Sequence, residues 1–396
     1  MKITFKASDD YICMYSYKNG RKTFNCIVSD GVVSCHVYYD FKELPLLLQC
    51  GVHEDDTVEI ILMPHRIELW SNSVLKDEEW PAGKRLFNAD DTLTENTEVS
   101  VLPYASISDV MPSILGSFEN AEGWRPGKNI FVGDCMPYTC DNRYHVLYLK
   151  DRHHHSSKWG YGAHQWEHIS TADLKTWDIH PTAIAITDPS EGSICTGSWI
   201  KNDDTHYLFY TVRMADNSPA PILRSISKDG CHFEKDNTFS VILSEKYHRE
   251  SARDPKVILG SDGLYHMFLT TSLQKEQKGC LAHLVSKDLS VWQELENPIY
   301  ISETSDQPEC PDYIEYNGYY YLIFSLKGKA HYMFSKNPFN GWIMPENPII
   351  PCSSVPKGAV WDGKIIFTGF KALGPYAGNM TFKKAHNSND GILVFE

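Results

Sequence analysis

The sequence predicts an all-β protein in which an N-terminal β-sandwich precedes a five-bladed β-propeller. Aromatic residues make up 12% of the 396 residues, and with 25 Gly and 21 Pro they favour many short strands joined by tight turns. The first part of the chain alternates polar and apolar side chains, and a turn motif recurs along the second part. We therefore expect the sandwich over residues 1–118 and the propeller over residues 119–396.

Short alternating segments characterise the N-terminal region. Thr57–Leu62 and Arg66–Leu75 alternate in polarity, and the Ser71-Asn72 pair marks a turn, which together is the pattern of a β-hairpin. This pattern resembles the late strands of a concanavalin-like or laminin-G-like sandwich. Gly116–Gly127 is rich in turn-forming residues and predicts a linker or a helical turn before the second domain.

A turn motif recurs from Asn129 onward and combines small polar, acidic and aromatic residues. Its acidic or amide position returns every 49 to 59 residues, a spacing typical of one propeller blade. We expect this residue to cap the turn, and the Trp or Phe that follows to pack between blades. The four positions are Asp173, Asp229, Asp288 and Asn337. The five aromatic-rich strands that define the blades are Tyr144–Leu149, His206–Val212, Leu264–Thr270, Gly318–Ser325 and Lys364–Phe370.

Composition restricts the partners and the compartment. A formal charge of −14 and the lack of a Lys/Arg stripe argue against nucleic acid. No apolar run reaches the roughly 18 to 20 residues of a membrane span, and Met1–Gly20 lacks the apolar core of a secretory signal. Eleven cysteines without a Cys-x-x-Cys pair favour reduced thiols in the cytoplasm, with export of a processed chain as the alternative.

Three carboxylates stand where different blades begin. Asp134, Asp254 and Glu309 precede the first, third and fourth blades, and propellers bind small ligands where their innermost strands start. Cleavage of a glycosidic bond needs one carboxylate to attack the anomeric carbon and one acid to protonate the leaving oxygen. We therefore predict that the three side chains share one axial pocket. The alternative is that each only caps the end of a strand.

Four segments in order resemble motifs of glycoside hydrolase family 32 over roughly residues 129–396. Arg253–Val257 and Glu309–Asp312 are similar to its Arg-Asp-Pro and Glu-Cys motifs. The stretch Trp159–Trp177 resembles its Trp-Gly-His-Ala and Ser-x-Asp-Leu-x-x-Trp segment, and Cys195–Ser198 resembles its Phe-Ser-Gly-Ser. This order at blade spacing identifies the chain as a divergent member.

The resemblance implies a retaining β-fructofuranosidase that forms a covalent fructosyl-enzyme and needs no cofactor. Asp134 is the implied nucleophile, Glu309 the acid/base and Asp254 the transition-state stabiliser. The other implied substrate contacts are Arg253 and Thr196. The expected partner is a small carbohydrate. Association into a homodimer is left open.

Departures from the family pattern leave other functions open. Gly133–Pro137 replaces the family's Asn-Asp-Pro-Asn-Gly motif. Leu149 stands at the position where the family has a sugar-binding Gln. The chain reaches Phe395-Glu396 where blade five should close, so we expect a sandwich before the propeller in place of the family's usual C-terminal one. The alternatives are an arabinofuranosidase, a propeller phosphorylase whose phosphate binds the basic run Arg152–Lys158, and a sugar-binding propeller without catalysis.

Histidines and tryptophans before the first turn supply the remaining candidates. Consecutive residues of the run at 152–158 point to opposite faces of a strand, so we predict no metal site there. His164, Trp166 and His168 share one face, which either lines the pocket or packs between blades. Trp159 either stacks on a sugar or shields the rim. We therefore expect substrate contacts from Trp159, His164 and Trp166.

Overall fold

The computed structural model describes residues 1–8, 13–18, 21–37, 46–62, 67–79, 92–95, 98–103, 124–126, 130–152, 164–188, 190–214, 216, 218–352, 354–374 and 376–396. Regular structure among these residues is almost entirely β, and the exception is one 3-10 turn, Arg249–Ser251. No helix in these ranges is long and apolar enough to cross a membrane. The prediction of an all-β fold is therefore confirmed.

The N-terminal module is a sandwich of two five-stranded antiparallel sheets. One sheet has the order β10-β1-β6-β7-β8 and the other has the order β5-β4-β3-β2-β9. The strands are β1 (Lys2–Lys6), β2 (Cys13–Lys18), β3 (Arg21–Ser29), β4 (Val32–Val37), β5 (Leu46–Gly51), β6 (Thr57–Leu62), β7 (Ile67–Ser71), β8 (Val74–Glu79), β9 (Thr92–Glu95) and β10 (Ser100–Leu102).

Alternation of side chains builds the core of this sandwich. In β6 the side chains of Val58, Ile60 and Leu62 are fully buried, and they share one hydrophobic core with Phe24 and Val33 of the facing sheet. The hairpin between β7 and β8 turns at Asn72 and Ser73, which both have positive φ, as a tight hairpin turn requires. The predicted sandwich and its predicted hairpin are confirmed.

The second module contains five antiparallel blades among its described residues. Blade I comprises β11–β14, blade II β15–β18, blade III β19–β23, blade IV β24–β26 and blade V β27–β30. The strands are β11 (Ile130–Cys140), β12 (Arg143–Arg152), β13 (Gln165–Thr171), β14 (Asp178–Ile179), β15 (Glu191–Asn202), β16 (Thr205–Met214), β17 (Ile222–Ser227), β18 (Glu234–Lys235), β19 (Arg253–Leu259), β20 (Tyr265–Ser272), β21 (Gly279–Ser286), β22 (Gln293–Glu294), β23 (Tyr300–Ile301), β24 (Glu309–Tyr316), β25 (Tyr319–Leu326), β26 (Lys329–Ser335), β27 (Ser354–Trp361), β28 (Lys364–Ala372), β29 (Gly378–Asn387) and β30 (Leu393–Phe395).

The inner strands close into a ring around one axis. Along the chain, β11 contacts β15, β15 contacts β19, β19 contacts β24 and β24 contacts β27. The ring closes because β27 contacts β11. Blades V and I are also joined by one pairing, between Val132 and Gly378. The predicted count of five blades is therefore confirmed.

The recurring turn motif has the predicted capping role. The Asp173 carboxylate accepts hydrogen bonds from the backbone N–H groups of Lys175 and Thr176, both at 2.8 Å. Asp229 and Asp288 cap their turns in the same way. These bonds to the charged form lower the pKa of Asp173 to about 2.

The aromatic residue that ends the motif packs between neighbouring blades, as predicted. The ring of Trp177 in blade I lies 5.6 Å from that of Phe382 in blade V, between centroids. Trp292 of blade III packs in the same way against Phe209 of blade II, at 5.9 Å. The motif therefore stabilises each turn locally and seals the contact with the next blade.

Every inner strand carries a β-bulge at the same place. At each one the inner strand advances three residues while its partner advances two, so one extra residue is inserted. The shifts lie between Val132 and Cys135, Ile194 and Gly197, Arg253 and Lys256, Glu309 and Asp312, and Ser354 and Lys357. Bulges redirect side chains, and this irregularity recurs once in each blade around the axis.

A buried ion pair joins the two modules. The ammonium of Lys150 in blade I lies 2.7 Å from the carboxylate of Glu79 at the end of β8, and 3.1 Å from that of Glu167. All three side chains are almost inaccessible, so the single ammonium of Lys150 is shared by two carboxylates away from water. The predicted boundary between residues 118 and 119 lies outside the described residues and stays a prediction.

Candidate active site

The bulges bring the three predicted carboxylates to one cavity. Asp134, Asp254 and Glu309 all line it, although they are far apart in sequence. Asp254 and Cys310 occupy the first bulge position of blades III and IV with φ of 58° and 51°, and a proline follows each. A positive φ is costly for residues with a Cβ, so the surrounding structure holds this strained backbone in place, as is common at functional sites.

The Asp134 carboxylate is held by three side-chain donors. The hydroxyl of Thr196 donates to Oδ2 at 2.5 Å and that of Tyr376 donates to Oδ1 at 3.0 Å. The thiol of Cys310 lies 3.4 Å from Oδ2. Burial raises the pKa of Asp134, while the hydrogen bonds from Thr196 and Tyr376 act in the opposite direction. The carboxylate is thus oriented by its neighbours and still borders the cavity.

Arg253 connects the other two carboxylates. Its guanidinium donates to Oε1 of Glu309 at 2.7 Å, and its Nε lies 3.6 Å from Oδ2 of Asp254. A further bond, to the side-chain oxygen of Gln307 at 2.6 Å, fixes the same guanidinium. Burial acts to lower the pKa of Arg253, but the carboxylates of Asp254 and Glu309 outweigh it and raise that pKa. Arg253 therefore stays charged between two acids.

Asp254 is buried and is positioned by the backbone. Its Oδ2 accepts a hydrogen bond from the N–H of Cys310 at 3.0 Å, so the bulge of blade IV holds the carboxylate that blade III supplies. The Cys310 thiol also lies 3.6 Å from this oxygen. Burial raises the pKa of Cys310 well above its usual range, so the group is a neutral thiol and not a nucleophile.

The cavity has a volume of about 310 Å³, at the lower end for small-molecule sites, which suits a ligand of one or two sugar rings. Its wall combines the acids with apolar surface, including Leu149 at the position where the sequence lacks a sugar-binding Gln. The lining also includes Ser193, Ile194, Cys195, Arg213, Val355, Phe370 and Ala372.

Three of the predicted substrate contacts, Arg253, Thr196 and His164, line the cavity. The imidazole of His164 is buried against Asp151, with 2.8 Å between Nε2 and Oδ1, and its ring centroid lies 5.3 Å from that of Tyr376. Trp159 lies outside the described residues.

The prediction for Trp166 is wrong. Its ring is fully buried in the core between blades I and II, and its indole N–H donates to the Cys195 carbonyl at 2.9 Å. His168, on the same face, is fully buried as well. Side chains on this face of β13 point toward the neighbouring blade, and only His164, which precedes the strand, reaches the axial cavity.

Tyr376 was not predicted from the sequence. It lies in the connection between β28 and β29 of blade V and reaches the nucleophile candidate across the axis. A single tyrosine in a loop gives no motif and no periodicity. The nearest indication is the neighbouring Gly374-Pro375 pair, which marks a turn at that end of the blade.

Comparison with known proteins decides the family. The sequence profile of the glycosyl hydrolases family 32 N-terminal domain matches residues 134–345, which is more than half of the chain. The chain belongs to glycosyl hydrolase family 32. The match begins at Asp134 and includes the motifs around Asp254 and Glu309, so the resemblance predicted from the sequence is confirmed.

Two curated relatives each match just under half of the chain. The chain is 31% identical over 198 residues to the sucrose-6-phosphate hydrolase of Bacillus subtilis (strain 168), which covers 46% of this chain and 40% of that protein. It is 28% identical over 208 residues to the sucrose-6-phosphate hydrolase of Vibrio alginolyticus, and this match covers 49% of this chain and 40% of that protein. The chain thus matches about two fifths of the length of these relatives.

A solved structure supports the fold. The fructan 1-exohydrolase IIa of Cichorium intybus superimposes with a TM-score of 0.58 at 16% identity, over 70% of this chain and 60% of that one. At this identity the likeness concerns the architecture alone.

Proposed function

We propose that this protein is a retaining glycoside hydrolase that cleaves the fructosyl linkage of small β-fructosides. The observation that carries the proposal is the meeting of Asp134, Asp254 and Glu309 from three different blades in one cavity. Strand-end caps would have no reason to converge, whereas glycoside cleavage needs such a set. The names of the sucrose-6-phosphate hydrolases it resembles support the same substrate class.

In the first step Asp134 attacks the anomeric carbon of the fructosyl unit, and Glu309 gives its proton to the departing oxygen. The bond to the leaving group breaks as the ester to Asp134 forms. In the second step Glu309 removes a proton from water, which displaces Asp134 and releases fructose. Asp254, buried and fixed by the Cys310 backbone, accepts hydrogen bonds from sugar hydroxyls. No cofactor is needed, because the carboxylates supply both steps.

The pair between Arg253 and Glu309 sets a requirement on substrate binding. A Glu309 carboxylate paired with Arg253 suits the base step, whereas the acid step needs a proton on Glu309. The Glu309 side chain is 46% exposed, so an incoming sugar can reach it. We propose that sugar hydroxyls take over hydrogen bonds of Arg253 and free Glu309 to carry the proton.

A phosphorylated sugar is the second candidate substrate, and Arg213 favours it. This half-buried arginine lines the cavity, and an arginine fork matches a phosphate group well. Comparing sucrose with sucrose 6-phosphate distinguishes the two. Arg213→Gln should raise KM for the phosphorylated sugar and leave KM for sucrose nearly unchanged. The basic run at 152–158, proposed for phosphate, lies largely outside the described residues.

The cytoplasm is the compartment we propose. The cysteines whose side chains the structure describes are free thiols, as a reducing environment would keep them.

The nucleophile is tested by Asp134→Asn. This nearly isosteric change removes the attacking oxygen anion, so turnover should vanish even for an activated aryl fructoside, while circular dichroism stays unchanged. Asp141→Asn is the matched control, because Asp141 is exposed in the turn after the same strand. Substantial turnover in the Asp134 variant would assign the nucleophile to another residue.

The acid/base role is tested by Glu309→Gln with two leaving groups. Loss of the acid should slow cleavage of sucrose by about 10² to 10⁴, but a nitrophenyl leaving group hardly needs the proton. With the activated donor a burst should precede a slow steady state, and azide should restore turnover. Glu315→Gln, on the solvent side of the same strand, is the control. Equal losses on both donors without azide rescue would refute the assignment.

A further inference from the structure

Blade I holds three histidines close together outside the catalytic cavity. His145 lies on β12, His168 on β13, and His180 directly follows β14. One ring nitrogen of each lies within 4.8 Å of the others, and Nδ1 of His145 is 3.0 Å from Nε2 of His168. None of the three lines the cavity that contains Asp134. The active site therefore gives no reason for this cluster.

The chemistry of the cluster matches a transition metal. The rings' side-chain hydrogen-bond partners outside the cluster are Tyr138, Ser170 and Cys231, and none is a carboxylate. Nδ1 of His168 is buried without a hydrogen-bond partner. Neutral imidazole nitrogens suit Zn²⁺, Cu²⁺ or Ni²⁺, whereas Ca²⁺ and Mg²⁺ prefer oxygen.

Blade III offers an internal comparison. His266 and His283 form the same pair, with 2.8 Å between Nδ1 and Nε2, and in both blades the second histidine lies opposite the residue two positions after the first. There the pair is completed by a carboxylate, since Nε2 of His266 lies 3.1 Å from Asp262. The pair alone is thus a packing feature of a blade, and among the described residues a third imidazole joins it in blade I and not in blade III.

We propose that His145, His168 and His180 bind one divalent transition-metal ion of the Zn²⁺ type, with water as a fourth ligand. Tetrahedral Zn²⁺ with nitrogen ligands at about 2.0–2.1 Å spaces them about 3.4 Å apart. The present spacings, from 3.0 Å to at most 4.8 Å, need only small rotations of the rings. The ion would cross-link three successive strands of blade I and act as a structural site.

The test uses the full chain with His153, His154 and His155 replaced by Ala, because that run can itself bind metal. This parent is stripped with chelator, titrated with Co²⁺ and Zn²⁺, and followed by visible absorption, calorimetry and thermal melting. We expect one ion per chain, the intense visible bands of four-coordinate Co²⁺, and a higher Tm with Zn²⁺.

Three further substitutions in this parent locate the ion. His168→Ala and His180→Ala should each weaken Zn²⁺ binding at least tenfold and remove the Tm shift. His283→Ala, in the equivalent pair of blade III, should bind as the parent does. His180 is half-buried, so its variant remains informative if His168→Ala fails to fold. No uptake by the parent, or uptake that neither blade I variant reduces, would overturn the proposal.

Discussion

Replacing Tyr376 by Phe tests the hydrogen bonding of the proposed nucleophile. The change removes a hydroxyl that donates to Oδ1 of Asp134 at 3.0 Å and accepts from the Asp134 backbone N–H at 3.2 Å. Burial already raises the pKa of Asp134, and the bond to Oδ1 opposes the rise because it favours the ionised form. Its loss should therefore raise that pKa further and move the acid limb of kcat/KM to higher pH.

The magnitude follows from the kind of bond. A hydrogen bond to a charged group contributes about 1.5–3 kcal/mol, which corresponds to about tenfold to a hundredfold in rate. That loss should appear in full below the acid limb, where Asp134 is largely protonated. Above the limb Asp134 is ionised in both proteins, and the loss should be smaller.

The assay is kcat/KM for sucrose measured across the pH range, with Tyr316→Phe as the control. The hydroxyl of Tyr316 donates to the Gly363 carbonyl at 2.7 Å and Tyr316 does not line the cavity, so its loss should leave the profile in place. A Tyr376→Phe profile that shifts to lower pH, or one reduced equally at every pH, would refute the reasoning.

Three further predictions concern stability. Glu79→Ala removes one charge-assisted hydrogen bond and leaves Lys150 paired with Glu167, so it should lower the free energy of unfolding by about 1.5–3 kcal/mol in denaturant titrations, whereas no loss would mean that the contact between the modules is weak. Trp166→Ala should cost about 3–5 kcal/mol by the same measurement without changing KM, and a raised KM would restore its substrate role. Gly197→Ala places a Cβ 1.9 Å from the Phe209 carbonyl oxygen and should lower Tm strongly, and an unchanged Tm would contradict this packing.

The sequence predicts features that depend on local chemistry. The turn aspartates cap their own backbones within three residues, so their spacing alone reveals the blades. Asp254 and Glu309 are also predictable from the sequence, because each stands in a recognisable motif at the start of its strand.

Features that depend on the arrangement of blades are harder to predict. Alternation places Trp166 on one face of its strand, but it does not show whether that face meets the cavity or the next blade. Each bulge adds one residue and redirects the side chains beyond it, so the period of two breaks where the site is built. Tyr376 reaches Asp134 across 242 positions, a contact that only ring closure creates.

The five matching bulges make the mouth of the channel modular. The bulges of blades I to IV present Asp134, Thr196, Asp254 and Cys310, in that order, to the cavity. The bulge of blade V presents Val355, an apolar side chain that also lines the cavity. A new polar group in place of Val355 would face the cavity without replacing any of the other four residues. Specificity in this scaffold can therefore diverge one blade at a time, with Asp134 left in place.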